Sequence, residues 1–321
     1  MSLRAWIEEA SRAVGLDGMG IASVDALPGS ADARFLSEWL DRGYAGEMDY
    51  LKGERAAKRR EPQLVLPEAK SAICAALVYQ SDAPLSTAPA EPGSGWISRY
   101  AWGSDYHDVL RRRLEDLLAR LRKQVTQPFE ARVYVDTGPV LERALARQTP
   151  LGWLGKNTCL LSERLGSWFF LGEILTTLEI PPDPPAADRC GTCTRCLDAC
   201  PTQAFVAPRV LDSTRCISYW TIEHKGEIAG DIDRHVFGCD ICQDVCPWNR
   251  RAPLTSVAEF LPRPGLVNPP LDELAALTPE QFRERFRNSP LRRLGFRRFM
   301  RNVEVAMKNV SRKDAKAQRL R

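Results

Sequence analysis

A chain of 321 residues that is 44% hydrophobic is long enough for two domains and can form a substantial core. It contains no run of 18 apolar residues and no signal-peptide pattern at its start, so we expect a cytoplasmic protein without a membrane segment. The net charge of +4 is uneven, because residues 283–321 hold 14 Lys and Arg against three Asp and Glu. This segment therefore has a net charge of +11, and the rest of the chain has a net charge of −7. A basic segment on an otherwise acidic protein predicts a polyanionic partner.

Residues 1–180 mix helical and strand patterns, which predicts one α/β domain. Helical periodicity covers residues 5–14, 35–42 and 108–125, and strand patterns cover residues 20–24, 71–79 and 131–135, with another strand inside 167–180. The run 71–79 is continuously apolar, so it predicts a buried strand. The proline-rich segment 181–188 is predicted to be a linker. A capping box at Thr278 predicts the start of a helix.

Eight of the ten cysteines lie between Cys190 and Cys246. The first run, C-G-T-C-T-R-C-L-D-A-C-P, has the spacing with which bacterial ferredoxins hold cubane iron–sulfur clusters. The second run repeats it, but its first cysteine is displaced to Cys216. Crossing the ligands as in ferredoxins gives two [4Fe–4S] sets: Cys190, Cys193, Cys196 with Cys246, and Cys216, Cys239, Cys242 with Cys200. Disulfides and tetrahedral zinc sites fit this pattern less well.

Other cofactor motifs are weak. The segment Gly152–Thr158 has glycines separated by two residues rather than four, and Asn157 stands where a P-loop has Ser or Thr, so an ATP site is rejected. No G-x-G-x-x-G motif is present, and three histidines argue against haem. Cys74 and Cys159 are expected to be packing residues.

Several longer motifs occur together along almost the whole chain. They are R-Y-A-W-G-S-D-Y-H (99–107), D-T-G-P-V-L-E-R (136–143), L-G-W-L-G-K-N-T (151–158), G-S-W-F-F-L-G-E (166–173), C-I-S-Y-W-T-I-E-H-K-G (216–226) and the two cysteine runs. On these residues the chain resembles the epoxyqueuosine reductases, cobalamin-dependent iron–sulfur enzymes that complete queuosine in tRNA.

The resemblance implies an α+β fold. A nitroreductase-like cobalamin-binding domain would occupy residues 1–180, followed by the linker 181–188 and a ferredoxin-like domain with two [4Fe–4S] clusters at 189–260. The helical, basic region 261–321 would be a truncated HEAT-like repeat that frays after Asn309.

The resemblance also implies a reaction, reduction of the epoxide of epoxyqueuosine to an alkene and water. Asp136, at a predicted strand end, would protonate the oxygen after the ring opens, which requires burial against the corrin to raise its pKa. From the residues alone, Asp136 is better understood as the cap of the turn formed by Thr137, Gly138 and Pro139, and the resemblance is what favours catalysis.

Cobalamin contacts implied by the resemblance are Arg59, Tyr100, Asp136, Leu160, Leu171, Tyr219, Asp240 and Ile241. Asp240 and Ile241 lie inside C-D-I-C, which would place a corrin beside the second cluster. The segment D-Y-H-D-V-L has Leu110 where the D-x-H-x-x-G motif has glycine, so we expect base-off cobalamin without a histidine ligand.

The tRNA, presenting its anticodon stem-loop, is the expected polyanionic partner. Candidate contacts are Lys225, Arg292, Arg293, Arg297 and Arg298, together with Arg301 and the interleaved rings of Phe296 and Phe299. The same residues also fit a helix that packs its apolar side and leaves a solvated basic face.

We further expect a monomer that takes electrons from an external donor of the ferredoxin or flavodoxin type. Two other classes remain open. One is another cobalamin and iron–sulfur reductase, such as a reductive dehalogenase, although its usual twin-arginine signal is missing. The other is an electron carrier, which leaves the 180 residues before the clusters unexplained.

Overall fold

The structure, a computed structural model, describes residues 1–319. The chain divides into two compact units. The first unit comprises Met1–Val78, Tyr106–Cys193 and Trp248–Pro253, and the second comprises Tyr79–Asp105, Thr194–Pro247 and the chain from Leu254 onward. The units are therefore interleaved along the sequence, whereas four consecutive segments were expected. Residues 79–105 join the second unit through strand pairing, because Trp96–Ile97 lies parallel to His235–Phe237.

The first unit is built on a four-stranded antiparallel sheet with the strand order β1-β2-β7-β4. The strands are β1 (Gly18–Ser23), β2 (Ser71–Val78), β4 (Ala131–Tyr134) and β7 (Phe169–Thr176). All eight residues of β2 are buried, as their continuous apolar character predicted. Its Cys74 lies within the core, which confirms the packing role expected for it.

Helices and short strands complete the first unit. The helices are α1 (Leu3–Ala13), α2 (Ala31–Asp41), α3 (Gly53–Arg60), α4 (Tyr106–Gln124) and α5 (Glu142–Ala146), and a small hairpin pairs β5 (Trp153–Leu154) with β6 (Leu160–Leu161). Leu110, Leu114, Leu117 and Leu121 of α4 are fully buried, as predicted from their spacing. A Cβ atom on Gly172 of β7 would lie 2.7 Å from Leu114, so glycine there lets α4 pack closely on the sheet.

The second unit is mainly helical, around a core of aromatic side chains. Its elements are β3 (Trp96–Ile97), α6 (Arg195–Asp198), β8 (Phe205–Ala207), β9 (Val210–Leu211), α7 (Ile217–Ile222), β10 (His235–Phe237), α8 (Ile241–Asp244), α9 (Leu271–Ala275), α10 (Pro279–Arg285) and α11 (Phe296–Arg319). Trp96, Trp102, Phe237, Phe286 and Phe299 are at most 2% exposed. The capping box predicted at Thr278 starts α10.

The predicted linker 181–188 contains no helix or strand, as expected. It is nevertheless attached to the first unit, since the carboxylate of Asp183 accepts hydrogen bonds from the Arg4 guanidinium (2.9 Å) and the Ile21 amide (2.9 Å).

The expected fraying after Asn309 is wrong for the backbone, because α11 continues to Arg319; Leu320 and Arg321 lie outside the described residues. Phe299, Val303 and Ala306 of this helix are fully buried, so α11 belongs to the core of the second unit. Truncation after Asn288 would therefore remove core side chains as well as basic ones. Within residues 1–319, no helix is both long and apolar enough to cross a membrane.

Candidate active site and cluster-binding loops

Asp136 stands at the end of β4 in a strained turn. Its φ angle of 57° is in the left-handed region, which is uncommon for a residue other than glycine. The Thr137 amide donates to the carbonyl of Val135 (2.6 Å), and the Asp136 amide donates to a carboxyl oxygen of Glu142. The Asp136 side chain is 58% exposed, so the protein atoms of this unit do not provide the burial that the proton-donor hypothesis required. A bound group covering this surface would have to supply it.

Two residues at the start of α4 contact the carboxylate of Asp136. The Tyr106 hydroxyl donates to its Oδ2 atom at 2.8 Å, and the His107 Nε2 atom lies 3.2 Å from the same oxygen. The Tyr106 ring stacks on Phe170 with a centroid distance of 4.2 Å and an interplanar angle of 3°. His107 is buried rather than at the surface. The carboxylate is thus oriented by a phenol and an imidazole, and this is more than a turn cap needs.

Arginines of α3 hold the backbone that follows Asp136. Arg59 is 4% exposed and donates to the carbonyl oxygens of Tyr50 (2.9 Å) and Gly138 (3.3 Å), while Arg55 donates to that of Thr137 (3.1 Å). Burial lowers the pKa of the Arg59 guanidinium from its ordinary value. Arg59, predicted as a cobalamin contact, therefore supports the Asp136 turn in this unit. A Cβ on Gly138 would lie 2.3 Å from the Tyr134 ring, which explains the glycine.

The second predicted cluster set lies wholly within the second unit. Burial, followed by the nearby Cys216 thiol, raises the pKa of Cys239 well above its ordinary value, and Cys200 acts in the same direction. The thiols of Cys216 and Cys200 are therefore close enough to Cys239 to disfavour its thiolate form. The Ala204 amide also donates to the sulfur of Cys200 at 3.3 Å. Iron would compensate this crowding of negative charge.

The first cysteine run is anchored by a lysine that the sequence analysis did not assign to a site. The Lys156 ammonium donates to the carbonyl oxygens of Gly191 and Cys193, both at 2.8 Å. The Cys190 amide donates to the Asp188 carboxylate at 2.9 Å. The segment that superficially resembled a P-loop thus places its lysine against a cysteine loop. Cys190 and Cys193 belong to the first unit, and Cys196 and Cys246 to the second.

Across residues 1–319, no group of three or more His, Cys, Asp or Glu side chains is arranged around a single metal ion. A cubane requires more widely separated thiolates than a single ion does. The clusters are therefore inferred from the cysteine spacing and the family comparison reported below.

Asp240 uses its carboxylate inside the second unit. It is 2% exposed and accepts hydrogen bonds from the indole of Trp96 (3.1 Å), the amide of Arg99 (2.7 Å) and the hydroxyl of Ser98. Burial raises its pKa, and these three donors and the Arg99 charge oppose that shift. Ile241, which follows it, is half-buried. The predicted cobalamin contact of Asp240 would have to use its backbone.

The remaining predicted cobalamin contacts are divided between the two units. In the first unit, Leu160 is buried on β6 and the half-buried Leu171 packs against the same core. In the second unit, the Tyr100 ring lies 5.8 Å from that of Phe237, and the Tyr219 ring lies 6.0 Å from that of His224.

The predicted tRNA contacts differ in their exposure and in the bonds that their side chains form within the protein. Lys225, Arg292 and Arg297 are exposed, and Arg293 pairs with the carboxylate of Asp105 at 3.0 Å. Arg298 is half-buried and donates to the carbonyl oxygens of Leu294 and Ile222, both at 2.9 Å. Arg298 therefore has a structural role, and tRNA contact stays a prediction for the exposed side chains.

Arg301 has the same structural role as Arg298. Its guanidinium donates to the carbonyl oxygens of Trp220 (2.9 Å) and His224 (2.8 Å), and the Asn302 amide donates to that of Thr221 (2.7 Å). These side chains hold the segment T-I-E-H-K-G in place from α11.

Two family models match the chain. One, described as "Epoxyqueuosine reductase QueG, DUF1730", matches residues 59–137, and the other, a 4Fe-4S double cluster binding domain, matches residues 189–249. The first match spans the end of α3, the whole of α4 and Asp136, and the second spans all eight cysteines of the two runs. These matches and the fold define an iron–sulfur oxidoreductase.

Whole-chain relatives define the family. An epoxyqueuosine reductase of Pseudomonas aeruginosa is 44% identical over 94% of this chain and 84% of its own length. One of Synechocystis is 45% identical over 89% of this chain and 99% of its own length. The chain belongs to the epoxyqueuosine reductase family.

Solved structures of epoxyqueuosine reductases are similar in fold to this chain. A crystal structure of epoxyqueuosine reductase with an epoxyqueuosine-modified tRNA-Tyr stem loop has a TM-score of 0.86 and 33% identity, covering 96% of this chain and 81% of that one. A Bacillus subtilis epoxyqueuosine reductase, solved with its catalytic aspartate loop swung out of the active site, has a TM-score of 0.84 and 31% identity, covering 96% of this chain and 82% of that one.

Proposed function

We propose that this protein reduces the epoxide of epoxyqueuosine, at the wobble position of tRNA, to the alkene of queuosine. Electrons would pass through two [4Fe–4S] clusters to cobalamin, and Asp136 would donate the proton. The observation that carries the proposal is the contact of Tyr106 and His107 with the Asp136 carboxylate, in a chain 44% identical to an epoxyqueuosine reductase. The reductive dehalogenase alternative has no comparable support from sequence identity.

The proton donor must be held where the oxyanion forms. Opening an epoxide leaves a negative oxygen, and a positioned carboxylic acid can protonate it in the same step. Tyr106 and His107 contact one carboxylate oxygen of Asp136, which orients this side chain for proton transfer. The left-handed backbone at Asp136 supports a functional role, since strained residues persist where the surroundings hold them. A catalytic aspartate loop is also described for the B. subtilis relative.

The cysteines have the chemistry to hold two clusters. We assign Cys190, Cys193, Cys196 and Cys246 to one and Cys200, Cys216, Cys239 and Cys242 to the other, following ferredoxin spacing. The closeness of Cys216 and Cys200 to Cys239, within one unit of the structure, supports the second set. Lys156 donates to backbone carbonyls of the first loop and places a positive charge beside it, which favours the reduced, more negative state of a cluster.

Part of the residue set expected for cobalamin fits a corrin. The half-buried side chains of Leu171 and Tyr100 offer apolar and aromatic surface, whereas Leu160 and Tyr219 are buried. Arg59 and Asp240 use their charged groups within their own units, so we assign them to supporting the loops around the site. Bound cobalamin would supply single-electron chemistry at cobalt in its base-off form. We further infer that the four-stranded sheet unit has a nitroreductase-like fold.

The second unit offers the basic surface for tRNA. Lys225, Arg292 and Arg297 are exposed and can neutralise phosphates. Arg298 and Arg301 instead fix the segment from Trp220 to His224, which lies next to Lys225 in the chain. We propose that the anticodon stem-loop binds here, to a monomer served by an external ferredoxin- or flavodoxin-type donor.

The test uses anaerobically reconstituted protein, epoxyqueuosine-containing tRNA and a low-potential reductant, with queuosine measured by nucleoside mass spectrometry. Wild type is expected to form queuosine, and Asp136→Asn is expected to lose about 10²–10⁴-fold in turnover. Asp108→Asn, which alters an exposed carboxylate in the first turn of α4, is the matched control. No queuosine from the loaded wild type would refute the function, and turnover of Asp136→Asn close to the control would refute the proton donor.

A further inference from the structure

Two more carboxyl groups lie behind Asp136 in the first unit, and neither belongs to the site predicted from sequence. Glu142 is the first residue of α5 and is half-buried. Glu173 lies within β7, is completely buried, and is paired in the sheet with Cys74 on one side and Tyr134 on the other. Exposure therefore rises in steps from Glu173 through Glu142 to Asp136, from the core of the sheet to the surface of the candidate site.

A hydrogen bond and electrostatic interactions connect the three residues. The Asp136 amide donates to Oε1 of Glu142, and the charge of Glu142 acts on Glu173. Among residues 1–319, neither carboxyl oxygen of Glu173 has a hydrogen-bond partner. A completely buried carboxyl group without a donor is costly to ionise. Burial therefore favours the protonated form of Glu173.

The electrostatics of the pair agree with this assignment. Burial, followed by the charge of Glu142, raises the pKa of Glu173 well above its ordinary range. Burial, followed by the charge of Asp136, raises the pKa of Glu142 to about 7, against the opposing effects of the Asp136 amide, the Glu173 carboxyl group and the Arg143 charge. The apparent values belong to the pair.

Two further groups near the pair are ionisable. Burial and the two glutamates raise the pKa of the Cys74 thiol, which stays neutral, and the Arg59 guanidinium interacts with Glu142 and Asp136. His107 contacts the Asp136 carboxylate. The completely buried Glu173 is therefore the member of the pair that keeps its proton, and Glu142 is the member that binds the Asp136 amide.

The backbone of Asp136 needs such a partner. A φ angle of 57° persists at a non-glycine residue only when its surroundings fix it. The α3 arginines hold the carbonyl oxygens of Thr137 and Gly138, but the Asp136 amide itself is bound by Glu142. Tyr106 and His107 fix the side chain of Asp136, and Glu142 fixes its main chain.

We propose that Glu142 is a positioning residue for Asp136 and that Glu173 is its protonated partner, so that the pair holds the proton donor in its left-handed turn and places a negative charge beside it. This inference rests on the proposed role of Asp136. A neighbouring negative charge favours the protonated form of a carboxyl group, which is the form that donates a proton to the opened epoxide.

The main test replaces Glu142 in reconstituted protein. Glu142→Ala is expected to lower kcat at least tenfold, to leave KM for the tRNA within twofold, and to move the basic limb of the kcat–pH profile to lower pH. Glu142→Gln keeps an oxygen that can accept the Asp136 amide, so it should recover part of kcat without recovering the pH profile. Glu179→Ala, which alters a carboxylate that is 82% exposed in the same unit, is the control and should match wild type.

Glu173 is tested by two replacements and by a measurement that needs no turnover. Glu173→Gln supplies a permanent N–H donor to Glu142, whereas Glu173→Leu supplies none, so the Gln variant should exceed the Leu variant in kcat at least tenfold. The infrared C=O band of a buried protonated carboxyl should be present in wild type at neutral pH and absent from Glu173→Gln. Equal thermal stability and iron content between variants would exclude misfolding as the cause.

The outcomes separate this inference from the proposed function. If Asp136→Asn is inactive while Glu142→Ala matches the control, the positioning role is refuted and the proton donor stands. If Asp136→Asn retains wild-type turnover, the proton donor itself is refuted. A wild-type pH profile in Glu142→Gln, or an unchanged infrared band in Glu173→Gln, would overturn the charged and protonated assignments respectively.

Discussion

Replacing Asp240 with alanine should destabilise the second unit. The substitution removes the acceptor of two N–H donors, the Trp96 indole (3.1 Å) and the Arg99 backbone amide (2.7 Å). Trp96 and Arg99 are both at most 2% exposed. The Ser98 hydroxyl also loses its partner but can rotate toward another acceptor. The perturbation therefore leaves two buried N–H donors unpaired.

The magnitude follows from these two donors. Each buried unpaired N–H costs about 1–3 kcal/mol, and removing a buried carboxylate returns part of this because burial disfavours its charge. A net loss of about 2–4 kcal/mol should lower the apparent melting temperature by about 4–8 °C in a chain of this size. Asp240→Asn keeps one oxygen acceptor and can donate its amide to Ser98, so its loss should be less than half as large.

The assay is thermal unfolding of the reconstituted protein under anaerobic conditions, followed by circular dichroism at one scan rate, because cluster loss makes unfolding irreversible. If Asp240→Ala melts within 1 °C of wild type, or if the Ala and Asn variants lose the same amount, the buried acceptor role would be refuted. A selective loss of bound cobalamin with unchanged stability would instead favour direct contact with the cofactor.

Two further predictions concern the basic helix and a buried histidine. The double variant Arg292→Gln/Arg297→Gln should weaken tRNA binding and flatten its salt dependence with little change in melting temperature. Arg298→Gln breaks hydrogen bonds to the carbonyl oxygens of Leu294 and Ile222, so it should lower the melting temperature. Equal binding losses with equal salt slopes in the two variants would contradict this division. Burial lowers the pKa of His235 to about 4 from 6.5, so the folded state binds fewer protons than the unfolded state between these values. Stability should fall by about 3 kcal/mol as pH decreases through that window, and His235→Gln should remove this part of the decline, as measured by melting at pH 7.5 and 4.

The helices and strands that carry their own pattern were predictable. The apolar stripe of α4 and the continuous apolar run of β2 were both confirmed, with boundaries shifted by one or two residues. The capping box at Thr278 was confirmed because its two hydrogen bonds join residues three apart. The cysteine spacing likewise matched a 4Fe-4S double cluster binding domain. In each case the predictive pattern lies within a short, continuous stretch of the sequence.

Only the tertiary structure showed how the motifs support one another. The aspartate turn is held by a histidine 29 residues away, and the first cysteine loop by a lysine 37 residues away. The T-I-E-H-K-G segment is fixed by arginines of α11, which sequence analysis could assign to tRNA but not to the carbonyl oxygens they bind. The interleaving of the two units could not be predicted from the sequence either, because the pairing of residue 96 with residue 235 leaves no periodic pattern in the sequence.

The sequence by itself thus predicted which residues carry chemistry, since ligand spacing and motif composition are properties of the covalent chain. It did not predict the partners of Asp136. Glu142 and Glu173 lie within the quoted motifs, yet nothing in their spacing indicates that a half-buried and a completely buried carboxyl group lie near the Asp136 turn. Their positions near Asp136 arise only when β7 pairs with β4 and α5 begins beside the turn, and that arrangement is decided by the folded sheet.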